Sequence, residues 1–150
     1  MTRRDIEHQE QARLVKWVDE VALEQYPELA WLFAVPNGGR RDAVTGAKLK
    51  AEGVKPGVPD LVLPVPRGGY HGLWIEMKTE DGRMTPEQKE WQGFLRAQGY
   101  RADMCRGSRE AAQMLLGYLD ERLPAYEAGQ VSTGQGPRKV KRGKQAGEAA

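Results

Sequence analysis

Leu14, Val15, Val18, Val21 and Ala22 recur at three- and four-residue intervals, the period of a helix with one buried face, and predict a first helix over about residues 5–26. Carried backwards, the stripe reaches Glu10, four residues before Leu14, and Gln11, four before Val15, so a carboxylate continues an inward-facing row. Trp31-Leu-Phe-Ala-Val35 is a short apolar run rich in aromatics and predicts a strand, stopped by the turn signal Pro36-Asn-Gly-Gly39. Residues 42–52 predict a short helix closed by Gly53. Two further strand-like runs follow, one opened by Asp60 and one closed by Glu76-Met-Lys78. The turn Pro66-Arg-Gly-Gly69 lies between them, and together they read as an antiparallel hairpin with a long, flexible connection.

Thr85 is a good helix cap, Pro86 suits the first helical position, and Gln88 completes a capping box. Gln88, Trp91 and Leu95 then share one face, and Gly99 ends that helix. Tyr100, Ala102 and Met104 alternate with Arg101, Asp103 and Cys105, which predicts a strand with one face more exposed than the other. Ser108 is the expected cap of a last helix packing through Ala111, Ala112, Met114, Leu115, Tyr118 and Leu119. From Pro124 onward Gly, Gln, Ser, Lys and Arg dominate without periodicity, so residues 1–123 are expected to fold and 124–150 to form a disordered basic tail. The order of elements describes an α/β fold, a central mixed β-sheet flanked by α-helices.

The chain's 150 residues make one domain with enough chain for a real core, and a 29% charged composition excludes a membrane-embedded protein. No apolar run reaches the length of a membrane span, and residues 1–8 hold no apolar signal region. A lone cysteine, Cys105, excludes an intrachain disulfide, fits the cytoplasm of a bacterial or phage-infected cell, and reads as a small hydrophobe in a strand. The net charge of +2 conceals a split. Residues 1–123 carry 18 basic and 19 acidic side chains, whereas residues 124–150 carry five and two. A nucleic-acid surface on the body must therefore come from local clustering, and one cluster exists: Arg40, Arg41, Lys48, Lys50 and Lys55, against Asp42 and Glu52. Those five are the candidates for DNA phosphate contacts.

The chemistry lies in the two central strands. In Glu76-x-Lys78 the strand period puts carboxylate and ammonium on one face, while Leu73, Ile75 and Met77 point the other way. Asp60, opening the preceding strand, can sit beside that pair. Two carboxylates suit a hard divalent cation, Mg²⁺ or Mn²⁺, and a lysine can orient an attacking water and stabilise charge on a phosphoryl group in flight. Taken singly, Glu76 and Lys78 fit an exposed strand face, and Glu10 fits a complement to a helix amino terminus. Together, carboxylates and a lysine converging without a ligand would be a costly arrangement, which favours a site. The spacing argues against a zinc site using His8 or His71, since neither has a second His or Cys at ligand spacing.

Five segments in order carry a family resemblance: His8-Gln-Glu-Gln11, Pro36-Asn-Gly-Gly39, Gly57-Val-Pro-Asp60, Ile75-Glu-Met-Lys78 and Thr85-Pro-Glu-Gln88. The chain resembles the VRR-NUC branch of the PD-(D/E)XK nuclease superfamily over residues 7–119, and is most similar to its short, stand-alone phage and prophage members. The resemblance implies a restriction-endonuclease-like core in which Asp60 and Glu76 bind metal, Lys78 is the catalytic lysine, Glu10 is the helix-borne acid completing the site, and Gln88 supports it. Glu7, one helical turn earlier, competes for Glu10's place. It further implies a homodimeric, structure-specific endonuclease acting on branched DNA such as Holliday junctions or flaps, with Leu63, Val65, Trp74 and Tyr118 as candidate interface residues. The rival readings are a non-catalytic DNA- or partner-binding module on the same fold, and an RNase.

Overall fold

The computed structural model describes residues 1–36 and 43–127. Thr2 opens α1 (Arg3–Trp17): its hydroxyl accepts from the Asp5 N–H and the Asp5 carboxylate accepts from the Thr2 N–H, so the helix starts two residues before the position expected. A wide π-helical turn follows at Val18–Ala22, in which the Leu23 N–H reaches back to the Val18 carbonyl, and α2 (Leu23–Gln25) completes the run. The turn explains a departure from the expected stripe. Leu14, Val18 and Ala22 are buried, but the extra residue rotates Val21 outward to 60% exposure, and Val15 is also at the surface.

A 3-10 turn at Pro27–Trp31 leads to β1, which is only Phe33–Ala34, so Trp31 belongs to the turn and not to the strand. After α3 (Ala43–Ala51), Gly53 takes a positive φ and the Val54 N–H bonds to the Leu49 carbonyl, closing the helix as expected. Then come β2 (Leu61–Leu63), β3 (Leu73–Lys78), α4 (Pro86–Ala97), β4 (Arg101–Arg106) and α5 (Gly107–Leu119). The sheet is mixed and open, in the order β1-β2-β3-β4, with β1–β2 and β2–β3 antiparallel and β3–β4 parallel. The α/β class expected from the sequence is the observed one.

Helices α1 and α5 pack together over one face of the sheet. The core lies between them: Leu14, Val18, Leu61, Leu63, Leu73, Ile75, Met77, Leu115 and Tyr118. Cys105, read from the sequence as a small hydrophobe in a strand, is fully buried opposite Met77, and burial pushes its thiol up to about 12. It is a core hydrophobe. Arg101 and Asp103 satisfy the alternation differently, pairing with each other and with Arg96 of α4. Leu63 and Tyr118 are likewise consumed by the core, which removes them as candidate interface residues.

Three expectations shift at the periphery. The connection between β2 and β3 is tied down, since Gly68 and Gly69 form a tight turn closed by reciprocal Arg67–Tyr70 backbone bonds, and the Tyr118 hydroxyl donates to the Val65 carbonyl. Ser108 lies inside α5 and not at its cap, for a reason that emerges with Glu10 below. The folded body also runs past Leu123. The Pro124 carbonyl accepts from Tyr70 and Arg101, and Tyr126 lies between the Arg96 and Arg101 guanidinium groups, its hydroxyl bonded to both the N–H and the carbonyl of Ala102 on the edge strand. The first residues of the expected tail are thus docked; residues 128–150 lie outside the described residues.

Candidate active site

The site forms where β2 begins and β3 ends. Leu61 pairs with Ile75, and the same register carried one residue back sets Asp60 across from Glu76. Asp60 is fixed from two directions: its side-chain Oδ2 accepts the Met77 N–H at 2.7 Å, and its carbonyl accepts the Val35 N–H at 2.8 Å. Gly57 explains why the chain can approach in this way. It has a positive φ and lies so close to α4 that a Cβ would fall 2.6 Å from the Glu87 carbonyl carbon, while the Trp91 indole N–H donates to the Pro56 carbonyl. The segment leading into Asp60 is clipped to the first turns of α4.

Helix α4 in turn delivers Gln88. The capping box is formed as the sequence predicts: the Thr85 hydroxyl accepts the Gln88 N–H, and the Gln88 Oε1 accepts the Thr85 N–H at 2.8 Å. That bond commits the amide oxygen and leaves the amide nitrogen, which donates to Glu76 Oε1 at 2.8 Å. One side chain therefore both starts the helix and orients a site carboxylate.

Glu76 is 5% exposed and under-satisfied. Besides Gln88, its Oε1 has the Lys78 Nζ at 3.7 Å, an ion pair too long for a good hydrogen bond, and its buried Oε2 has no hydrogen-bond partner among the described residues. Burial, and then the Asp60 carboxylate beside it, push Glu76 up to about 8, with Lys78 opposing. Asp60 is raised too, chiefly by burial, against the lowering effect of the Met77 N–H. Both carboxylates are thus short of positive charge. Among the described residues no three His, Cys, Asp or Glu side chains form a ready-made metal cage, so the protein offers this pair. Oxygen donors alone, with one left bare, fit a hard cation that takes its other ligands from water, backbone or phosphate. An open groove of about 680 Å³ between α1 and β1, lined by His8, Gln11, Val15, Lys16 and Asp60 among others, connects the acid to solvent.

Lys78 is 8% exposed. The turn Thr79–Gly82, closed by the Gly82 N–H on the Thr79 carbonyl, folds back so that the α-carbon of Gly82 packs beside the lysine's Cδ.

Glu10 is held elsewhere. Its Oε2 accepts the Ser108 N–H at 2.7 Å and its Oε1 accepts from Arg13 at 2.7 Å. Gly107, at positive φ, leaves just enough room for that carboxylate at the start of α5. Glu10 therefore does for α5 what Ser108 was expected to do, and the Ser108 donors hold it below the usual carboxylate range. Glu7's charge, by contrast, is among the smaller influences that raise Asp60 and Glu76. A signal for it was present, since Glu7 precedes Leu14 by two helical turns and so belongs to the same stripe. Of the basic cluster, Lys48, Lys50 and Lys55 are exposed on and just after α3, while Arg40 and Arg41 lie outside the described residues.

A family profile described as the VRR-NUC domain matches residues 4–109. A solved structure described as a "VRR_NUC domain protein" is similar over 77% of this chain and 88% of its own, at 30% sequence identity and a TM-score of 0.66. No curated protein matches the chain.

Proposed function

This chain belongs to the VRR-NUC family of nucleases, and from that premise we propose that it is a Mg²⁺- or Mn²⁺-dependent endonuclease that hydrolyses phosphodiester bonds in branched DNA. The observation that carries the reading is the buried Oε2 of Glu76 beside Asp60, which has no hydrogen-bond partner among the described residues, in a carboxylate pair whose crowding Lys78, at 3.7 Å, offsets only in part. Asp60 and Glu76 would hold the cation, with Gln88 and the Met77 N–H fixing the angle of each carboxylate. A divalent cation bound there supplies a Lewis acid for the phosphate and lowers the pKa of the attacking water. Lys78, buried yet free of close hydrogen bonds to the described residues, presents its ammonium to that water and to charge building on the phosphoryl oxygens. Glu7, in preference to Glu10, is the helix-borne acid of the site. Exposed Lys48, Lys50 and Lys55 contact phosphates and position the duplex, with Arg40 and Arg41 in the same basic segment.

The working form is a homodimer, because a four-way junction has near-two-fold symmetry and its resolution needs two opposed cuts. The enzyme acts in the cytoplasm, as its buried free thiol permits. Cleavage of Holliday junctions, flaps, splayed arms, plain duplex and matched RNA, with Mg²⁺, Mn²⁺ or EDTA, tests the reading. Branched DNA should be cut first and EDTA should stop it; preferred cleavage of RNA would move the chain to the RNase reading, and no cleavage of any substrate would leave a binding module. Light scattering should report twice the 16.8 kDa chain mass.

A further inference from the structure

We propose that Arg106 is a positioning residue for Lys78, acting through the Thr79–Gly82 turn; the inference rests on the nuclease reading for its catalytic consequence. Among the described residues the Lys78 ammonium makes no close hydrogen bond, and its ion pair with Glu76 is 3.7 Å long, so its position depends on what packs on its methylene stem. The turn is part of that packing: a Cβ on Gly82 would sit 3.4 Å from Lys78 Cδ, in ordinary contact, and 2.9 Å from Thr79 Oγ1. The turn in turn is gathered on one group. Arg106 Nη1 donates to the carbonyls of Thr79 at 2.7 Å, Glu80 at 2.7 Å and Gly82 at 2.9 Å.

The placement follows from the sheet. In the parallel β3–β4 register Arg106 is the direct neighbour of Lys78, so the last residue of β4 lies beside the point where the chain leaves β3 and bends. Two like charges on neighbouring strands are unfavourable. Here three carbonyl oxygens stabilise one of them, and charge-assisted bonds to carbonyls are stronger than neutral ones. The Arg106 backbone is itself anchored, its N–H donating to Glu110 Oε2 at 2.8 Å, which ties the brace to α5. Displacing a catalytic group by about an ångström costs on the order of a hundredfold in rate. A brace that fixes an otherwise loosely held lysine should therefore show in kcat, while substrate binding elsewhere is untouched.

Three variants test this: Arg106→Met, which keeps the stem and removes every side-chain donor; Arg106→Lys, which restores charge and donors; and Gly82→Ala, whose Cβ would meet Thr79 Oγ1 at 2.9 Å and so disturbs the turn without altering charge. Gly82 has no positive φ, so the disturbance comes from crowding in the turn and not from a left-handed backbone. Arg106→Met should lower kcat roughly tenfold to a hundredfold, with KM and the salt dependence of DNA binding within about twofold. Arg106→Lys should recover most of the loss, and Gly82→Ala should lower kcat alone. In protein free of metal and DNA, hydrogen exchange at the Gly82 amide should accelerate in Arg106→Met. If Arg106→Met does not fold, the Lys and Ala variants decide between the same outcomes. Unchanged kcat in Arg106→Met overturns the proposal. A raised KM with a shallower salt slope and intact kcat also overturns it, making Arg106 a phosphate contact. Should wild type cut nothing, the nuclease reading fails by itself, and unchanged Gly82 exchange would then separately refute the link between Arg106 and the turn.

Discussion

Glu10 and Glu76 are both partly or fully withdrawn from solvent, and the fold treats them in opposite ways. At the start of α5, Glu10 meets a backbone N–H, the Ser108 hydroxyl and the Arg13 guanidinium, and its acidity is strengthened. At the end of β3, Glu76 meets one amide N–H and a distant ammonium, keeps an oxygen without a partner, and holds its proton up to about 8. A carboxylate whose donors are all supplied by the protein has nothing left for a ligand, and its role is to hold two helices together. One left short stores an unfavourable interaction that a cation can relieve. The contrast separates a structural acid from a candidate ligand more sharply than burial does.

The largest expected effect tests that separation through activity. Glu76→Gln and Lys78→Ala should each lower kcat by at least about a hundredfold with the fold retained, because they remove groups acting on the reacting phosphate. Glu10→Gln should leave kcat within about threefold and instead lower stability by about 1–2 kcal/mol in urea unfolding, the usual worth of a charge-assisted helix cap. Equal losses of kcat in Glu10→Gln and Glu76→Gln, measured on one junction, would erase the distinction.

Glu7 gives the next contrast. Its substitution by Gln should cost roughly tenfold or more in kcat while leaving stability unchanged or slightly higher, since its charge destabilises both site carboxylates. An active Glu7→Gln paired with an inactive Glu10→Gln would restore the original assignment of the helix-borne acid. The two positions show where reading the sequence reaches its limit. Thr85 and Gln88, the strand period of Glu76-x-Lys78 and the Gly53 stop were legible because each depends on neighbours a few residues away. Glu7 and Glu10 share a helical face, and the choice between them depends on where α5, a hundred residues later in the chain, places its amino terminus. Tyr126 belongs with them. Whether a tail residue docks on a sheet edge is decided by packing partners that no local pattern names. Val21 failed for a different reason: one π turn shifts the phase of a helix that otherwise reads correctly.

Stability against pH should distinguish the two acids by sign. Glu76 is raised from 4.5 to about 8, so the folded state holds a proton that the unfolded chain releases. Its contribution is fully present below about pH 4.5 and lost as pH rises to about 8, and Asp60 is shifted in the same direction. Glu10 is lowered, so its contribution is present above pH 4.5 and lost as pH falls through its folded value. In metal-free protein, Tm should therefore fall between about pH 5 and 8, and this slope should flatten in Glu76→Gln but persist in Glu10→Gln. Millimolar Mg²⁺ should remove most of the slope by stabilising the ionised pair. A metal-free protein whose Tm rises steadily over that range would contradict the starved state of Glu76.

The smallest effect concerns α3, where charge is placed outward and pays no burial cost at all. Lys48, Lys50 and Lys55 are exposed and form no ion pair with a described residue, in contrast to Arg96, Arg101 and Arg106, whose guanidinium groups are spent on carbonyls and carboxylates of the fold. Cations of the first kind hold their counterions until a polyanion displaces them, so their contribution to DNA binding is mainly counterion release. Neutralising all three should weaken duplex affinity at moderate salt and reduce the slope of log K against log salt by roughly one unit per lost phosphate contact. At saturating DNA, kcat should stay within about twofold, because no step at the phosphate uses them. Thermal stability should change little, since none of the three is buried and the repulsion relieved is offset by the loss of two cations from the carboxyl-terminal turn of α3. Fluorescence anisotropy across a salt series supplies the slope, and single-turnover cleavage supplies the rate. An unchanged slope in the triple variant would place the DNA on another face of the molecule and leave the chemistry of Asp60, Glu76 and Lys78 as argued.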